Sequence, residues 1–172
     1  MRTMLLLLVT AALAAPVVAL ADTAPTPTSA ANQLCQQSKT TLGANFASTY
    51  GTNANKSNAF GKCVSQNAKN AQNAVDNASK ACTAEQTADP AAFATKYGSN
   101  GKPGSEGAAK NAFGKCVSSK THASIAAAAA NAPSAAKSCK ADRKADPTAF
   151  ATKYGKGANA FGKCVAAHAK TK

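Results

Sequence analysis

An all-α protein, made of three disulfide-stapled helical corners joined by alanine-rich helical linkers behind a flexible N-terminus, is the fold class that this sequence predicts. Three observations predict it. One motif recurs three times, six cysteines bracket the three copies in pairs, and the segments between copies carry small residues at helical spacing. Large apolar residues are too scarce for any fold that relies on one extensive core. Counted from Asp22 onward they are Leu34, Leu42, Ile125, four Val and six Phe, under a tenth of that stretch. With a formal charge of +13 for the whole chain, such a composition ordinarily marks disorder. Alanine favours helix but buries little area, so crosslinks have to supply what the core does not.

The repeat spans residues 35–64, 82–117 and 139–165. Each copy opens with a cysteine and carries Phe eleven residues on, followed by Tyr-Gly. After a gap of variable length it closes with Asn-Ala-Phe-Gly-Lys-Cys-Val. The landmarks are Cys35, Phe46, Tyr50 and Cys63; Cys82, Phe93, Tyr97 and Cys116; and Cys139, Phe150, Tyr154 and Cys164. Every Phe, Tyr and Cys of the chain falls inside these units. A gap that changes length between constant flanks reads as a surface loop, and the longest, residues 99–110, has the glycine and proline of a flexible one.

Element by element, residues 1–21 read as a secretory signal peptide, with Arg2, an apolar run and Ala19-Leu20-Ala21 before Asp22. Residues 22–32 read as a flexible leader, 33–64 as the first unit and 65–81 as a helical linker. Residues 82–117 form the second unit, and 118–138 an alanine-rich linker that Pro133 is expected to kink or end. Residues 139–165 form the third unit and 166–172 a basic tail.

Within a unit, Asp89-Pro90 and Asp146-Pro147 are an N-cap followed by a proline at the first helical position. Phe and Tyr four apart then share one helix face, and Gly98 and Gly155 stand where a left-handed C-cap belongs. Asn58, Asn111 and Asn159 are expected to cap the next helix. The glycine between Phe and Lys is expected to mark close passage of another backbone. Residues 60, 64, 68, 71, 75, 78 and 82 form a narrow apolar seam.

Export places six cysteines in an oxidising compartment. The expected bridges are Cys35–Cys63, Cys82–Cys116 and Cys139–Cys164. A bridge from Cys63 to Cys82 would span about 28 Å if the linker is one helix, and a disulfide needs Cα atoms within about 7 Å. The global arrangement stays open between a loose antiparallel bundle and an extended array.

No motif carries catalysis, a cofactor or a metal. There is no CxxC pair, no phosphate-cradling loop and no HExxH. His122 and His168 lie outside the repeated units and read as exposed surface residues. Glu85 and Asp142 each stand three residues after the first cysteine of their copy, where the first copy has Ser38. The sequons at Asn55 and Asn77 are expected by chance in a chain so rich in Asn and Ser.

Charge is the remaining functional signal. From Asp22 onward nineteen cations face seven acids, a net of +12, and Arg143 is the sole arginine. Lys62, Lys115 and Lys163 recur beside the second cysteine, and Lys96 and Lys153 precede the tyrosine; these are the candidate anion-binding residues. A lysine-rich exported chain is expected to meet cell-wall polymer, acidic polysaccharide or nucleic acid through point charges, without sequence specificity. The alternative is a purely structural spacer whose lysines keep it soluble. The Asp-Pro-x-x-Phe-Ala-Thr-Lys-Tyr-Gly and Asn-Ala-Phe-Gly-Lys-Cys-Val signatures resemble those of small exported bacterial repeat proteins. That resemblance covers the three units, implies bacterial export and transfers no catalytic residue.

Overall fold

The structure, a computed structural model, describes residues 24–98 and 111–170. The segment read as a signal peptide and the long gap of the second copy, residues 99–110, lie outside them. Seven helices and no strand occur among the described residues: α1 (Pro27–Leu42), α2 (Asn45–Tyr50), α3 (Ala59–Ala88), α4 (Pro90–Tyr97), α5 (Ala112–Ala145), α6 (Pro147–Tyr154) and α7 (Ala160–Ala169). None is long and apolar enough to cross a membrane.

Four of these helices form an up-down-up-down bundle. Ala30 and Ala31 of α1 cluster with Ala71 of α3, while Cys35 is bonded to Cys63, so α1 and α3 run antiparallel. The Cys82–Cys116 and Cys139–Cys164 bridges reverse the chain again between α3 and α5 and between α5 and α7. The helices α1 and α7 each pack against both α3 and α5, which pack against each other. The short helices α2, α4 and α6 are the corners. This is the bundle and not the extended array.

The three expected bridges are all present, with Cα separations of 5.9, 6.0 and 6.0 Å. Cys63 and Cys82 lie at opposite ends of the continuous helix α3, which is why no bridge can join them. Each bridge closes a loop of 25 to 34 residues, a constraint that stabilises by about 3.5–4 kcal/mol through the unfolded chain. Alanines fill the seams between them. Ala71, Ala74 and Ala78 of α3 are buried, as are Ala128, Ala129, Ala132 and Ala135 of α5.

Two of the three turns fall at the same end of an up-down bundle. The first and third copies therefore share one core, which holds Phe46, Tyr50, Phe150 and Tyr154 with both of their bridges. The second copy keeps a separate core of Phe93, Ala112, Val117 and its own bridge, with Tyr97 packed against it.

Six local expectations need correcting. The leader is not flexible throughout: Thr26 caps α1, accepting from Ser29 N at 3.2 Å, and Pro27 starts the helix. This is the Asp-Pro device written with threonine, and it buries Ala30 and Ala31. Pro133 does not end a helix; α5 runs through it from Ala112 to Ala145, because Ala132 and Ala135 on either side are held in the core. The buried face of α3 is Cys63, Asn67, Ala71, Ala74, Ala78 and Cys82, and Ala68 is exposed. Asn67 joins the face because its amide donates to the Cys63 carbonyl at 3.0 Å.

Among the expected glycine C-caps, Gly155 has a positive φ of 98°, but Gly98 is extended at −62°. In the first and third copies the repeated glycine of the closing motif has no backbone as its nearest neighbour either. A Cβ at Gly61 would point into open space, and one at Gly162 would strike the Gln66 side chain. The three asparagines occupy the N-cap positions without a side-chain cap bond. Asn58 instead ties the first corner loop, accepting from Thr52 N at 2.9 Å and donating to Thr52 Oγ1 at 2.7 Å.

Two measurements check this fold. Replacing any one cysteine pair with serines is expected to cost about 3–4 kcal/mol in urea unfolding. The first and third pairs, sharing one core, should depart from additivity by more than about 0.5 kcal/mol, and the second should add to either within that margin. Pro133→Ala is expected to stabilise by up to about 3 kcal/mol, since it removes the cost of proline in a helix interior.

Candidate anion-binding groove and the repeated polar corners

Each corner is built the same way. The Phe and Tyr of the short helix stack at 5.2, 4.9 and 5.0 Å between ring centroids in copies one, two and three. They cover the bridge, whose sulfurs belong to fully buried cysteines. Two further positions flank it, the residue three after the first cysteine and the residue four after the second, and in each copy one of them meets the tyrosine hydroxyl. Both are one helical turn from a cysteine, so both rise over the same sulfur pair. The resulting trios are Ser38, Tyr50 and Asn67; Glu85, Tyr97 and Lys120; and Asp142, Tyr154 and His168.

The scaffold is constant and the chemistry is not. In the first copy the trio is neutral and buried. Burial pushes the Tyr50 phenol above its ordinary value, against the opposing effect of its hydrogen bond with Asn67. The Ser38 hydroxyl finds no hydrogen-bond partner.

In the second copy Glu85 gathers three donors. Lys120 Nζ lies 2.6 Å away, Tyr97 donates at 2.9 Å and Lys96 Nζ lies at 3.4 Å. The Lys120 and Tyr97 hydrogen bonds hold the Glu85 carboxyl down to about 2. Lys96 is raised, first by its contact with Tyr97 and then by the charge of Glu85. In the third copy the Tyr154 hydroxyl and His168 Nε2 share a hydrogen bond of 3.0 Å, and Asp142 Oδ2 lies 3.9 Å from the same nitrogen. His168 is therefore part of a corner and not a free tail residue.

Where copies one and three meet, an open groove of about 620 Å³ runs between α1, the first corner, α5 and α7. Lys56, Lys137, Lys140 and Arg143 line it, with Asn45 and the hydroxyls of Thr41, Ser48 and Thr49. Leu42, Pro133, Ala136 and Phe161 make its apolar floor. No carboxylate is among the lining residues. The Arg143 guanidinium lies over the Phe161 ring at 5.1 Å, which orients its planar donors. Lys137, Lys140 and Arg143 follow one another at spacings of three along α5 and so share one side of it.

None of the five lysines singled out by the repeat lines this groove. Lys62 and Lys115 are half-buried, and Lys163 is exposed. Lys96 is engaged by Glu85, and Lys153 lies over the Tyr154 ring at 5.2 Å. Repetition scatters them, because the three copies point to two ends of the bundle. The groove cations sit at unrepeated positions: Lys137, Lys140 and Arg143 show in the sequence only as part of the basic run from Lys137 to Lys144, and Lys56 stands apart from it. Lys120 and His168 were detectable by counting four residues from the second cysteine, although the residue types there differ.

No protein-family model, curated protein sequence or solved structure matches this chain.

The Glu85 cluster makes the second corner acid-sensitive. Its carboxyl titrates below the ordinary value of 4.5 when folded, so its contribution is complete above that value and disappears as pH falls through about 2. Urea midpoints measured between pH 5 and pH 2 are expected to fall less steeply in Glu85→Gln than in the unsubstituted chain.

Proposed function

We propose that this is a secreted, non-enzymatic basic protein that binds an anionic polymer of the cell envelope. The groove formed where the first and third copies meet is the binding surface. The observation that carries the proposal is the lining itself: four cations, three hydroxyls and an amide over an apolar floor, with no acid among them. Cations gathered in a concavity raise the local potential beyond that of the same charges spread over a surface. Hydroxyls and an amide provide neutral hydrogen-bonding partners for sugar or phosphate oxygens.

Export is supported by the N-terminal signal pattern and by three disulfides, which persist in oxidising compartments. The spacer alternative has less support. A spacer would use α3 and α5 to hold the units apart, whereas these helices fold against each other.

Retention on purified teichoic acid and on a polyuronate tests the proposal. Binding should be lost as salt rises. At about 1 kcal/mol for each cation near an anionic surface, replacing Lys137, Lys140 and Arg143 with Gln should weaken it by about a hundredfold. The triple change of Lys62, Lys115 and Lys163 to Gln should have a much smaller effect. Equal loss from both triples would reduce the groove to unspecific charge and remove its role.

A further inference from the structure

The three corners differ in one respect that bears on metal chemistry. We propose that reduction of the Cys139–Cys164 bridge converts the third corner into a site for a zinc-class divalent cation, held by the two thiolates and the His168 imidazole. The inference is independent of the anion-binding reading and concerns the opposite chemistry at a different place.

The donor atoms are already assembled. The two sulfurs and a ring nitrogen of His168 all lie within 4.8 Å of one another. Tetrahedral zinc, with bonds of about 2.3 Å to sulfur and about 2.0–2.1 Å to nitrogen, holds such donors roughly 3.5–3.8 Å apart. Small side-chain adjustments therefore close the set once the sulfur–sulfur bond is gone. Two thiolates and an imidazole are the donors that zinc prefers, and they disfavour magnesium and calcium.

Asp142 Oδ2 is 3.9 Å from His168 Nε2, and Tyr154 is hydrogen-bonded to that nitrogen, which leaves Nδ1 as the nitrogen to meet the metal. A carboxylate beside a metal-ligating imidazole fixes its orientation and raises its basicity. Cys139 and Cys164 are fully buried while His168 lies at the rim. Entry of a reductant thus goes with opening of α7, a ten-residue helix.

The other two corners are internal controls. They place Asn67 and Lys120 where the third has His168. An amide is a poor zinc ligand, and an ammonium repels the ion, so the same dithiol in those copies lacks its nitrogen donor.

The step balances. A thiol reductant gives two electrons and two protons to the cystine and leaves as its own disulfide. Metal binding then displaces the two thiol protons to solvent. Bridge and metal are alternatives at one site: the oxidised chain holds no thiolate, and the metal-bound chain cannot re-form the bridge.

The test uses the full chain, reduced without oxygen and titrated with Co(II) and with Zn(II). One Co(II) per chain should bind after reduction and none before, with thiolate-to-cobalt charge transfer and tetrahedral ligand-field bands. Under Zn(II), alkylation should spare Cys139 and Cys164 alone. His168→Ala should abolish this protection, and Asp142→Asn should weaken binding by about 10–100-fold. Lys120→His, which places a histidine beside Glu85 and the second dithiol, should raise the stoichiometry to two. That gain stays readable if His168→Ala folds poorly. Three equivalents in the unsubstituted chain, protection spread over all six cysteines, or unchanged stoichiometry in both histidine variants would overturn the proposal.

Discussion

A disulfide under a Phe–Tyr pair is the constraint on which the rest of this molecule depends. The bundle helices meet largely through alanine, whose burial contributes little per residue. Alanine seams do let helix axes approach closely, but close approach alone does not select a register. Each bridge pins two helices at one height, near a turn, and the aromatic pair seals the sulfurs from water. With the register set at 35–63, 82–116 and 139–164, Ala30 and Ala31 reach Ala71 and the alanine faces of α3 and α5 are buried. The crosslinks work here as register pins as well as loop closures.

Parity follows from that arrangement and explains the asymmetry of the surface. Three reversals in an up-down chain put the first and third at one end and the second at the other. The odd copies merge their cores, and the second stands alone with its own small cluster. The groove exists only at the shared end, since it needs α2 from one copy and α7 from another. Repetition in the sequence thus produces a bundle with two unlike ends.

The sequence made the corners legible and left the ends obscure. Cysteine pairing, the Phe and Tyr face and the Asp-Pro caps were readable because each depends on residues close in the chain, and Asp89 and Asp146 cap as expected, accepting from Ala92 N at 2.9 Å and Ala149 N at 2.8 Å. Thr26-Pro27 is hard to read as a helix start because its threonine carries no charge and its proline sits in a Pro, Thr and Ser run. Pro133 does not end its helix because propensity is local, whereas the helix is held from outside by a core stripe that continues across the proline. The groove was out of reach for a different reason. Lys56 and Lys140 come together only through tertiary packing, and no periodicity along the chain announces it.

The tyrosine of each corner shows how one scaffold carries three different chemistries. Its ring is needed for packing in every copy, so its hydroxyl always arrives at the same place above the bridge. What meets it there is set by two positions that packing leaves partly free, three after one cysteine and four after the other. Where those positions are Ser and Asn, the hydroxyl is buried and neutral, and the cost of desolvation falls on it. With Glu and Lys there, the hydroxyl becomes one donor in a charged cluster that leaves the carboxylate ionised down to low pH. Asp and His instead place it beside an imidazole and a carboxylate. The structural requirement is met by the aromatic pair and the sulfurs, and this frees the two polar positions to diverge.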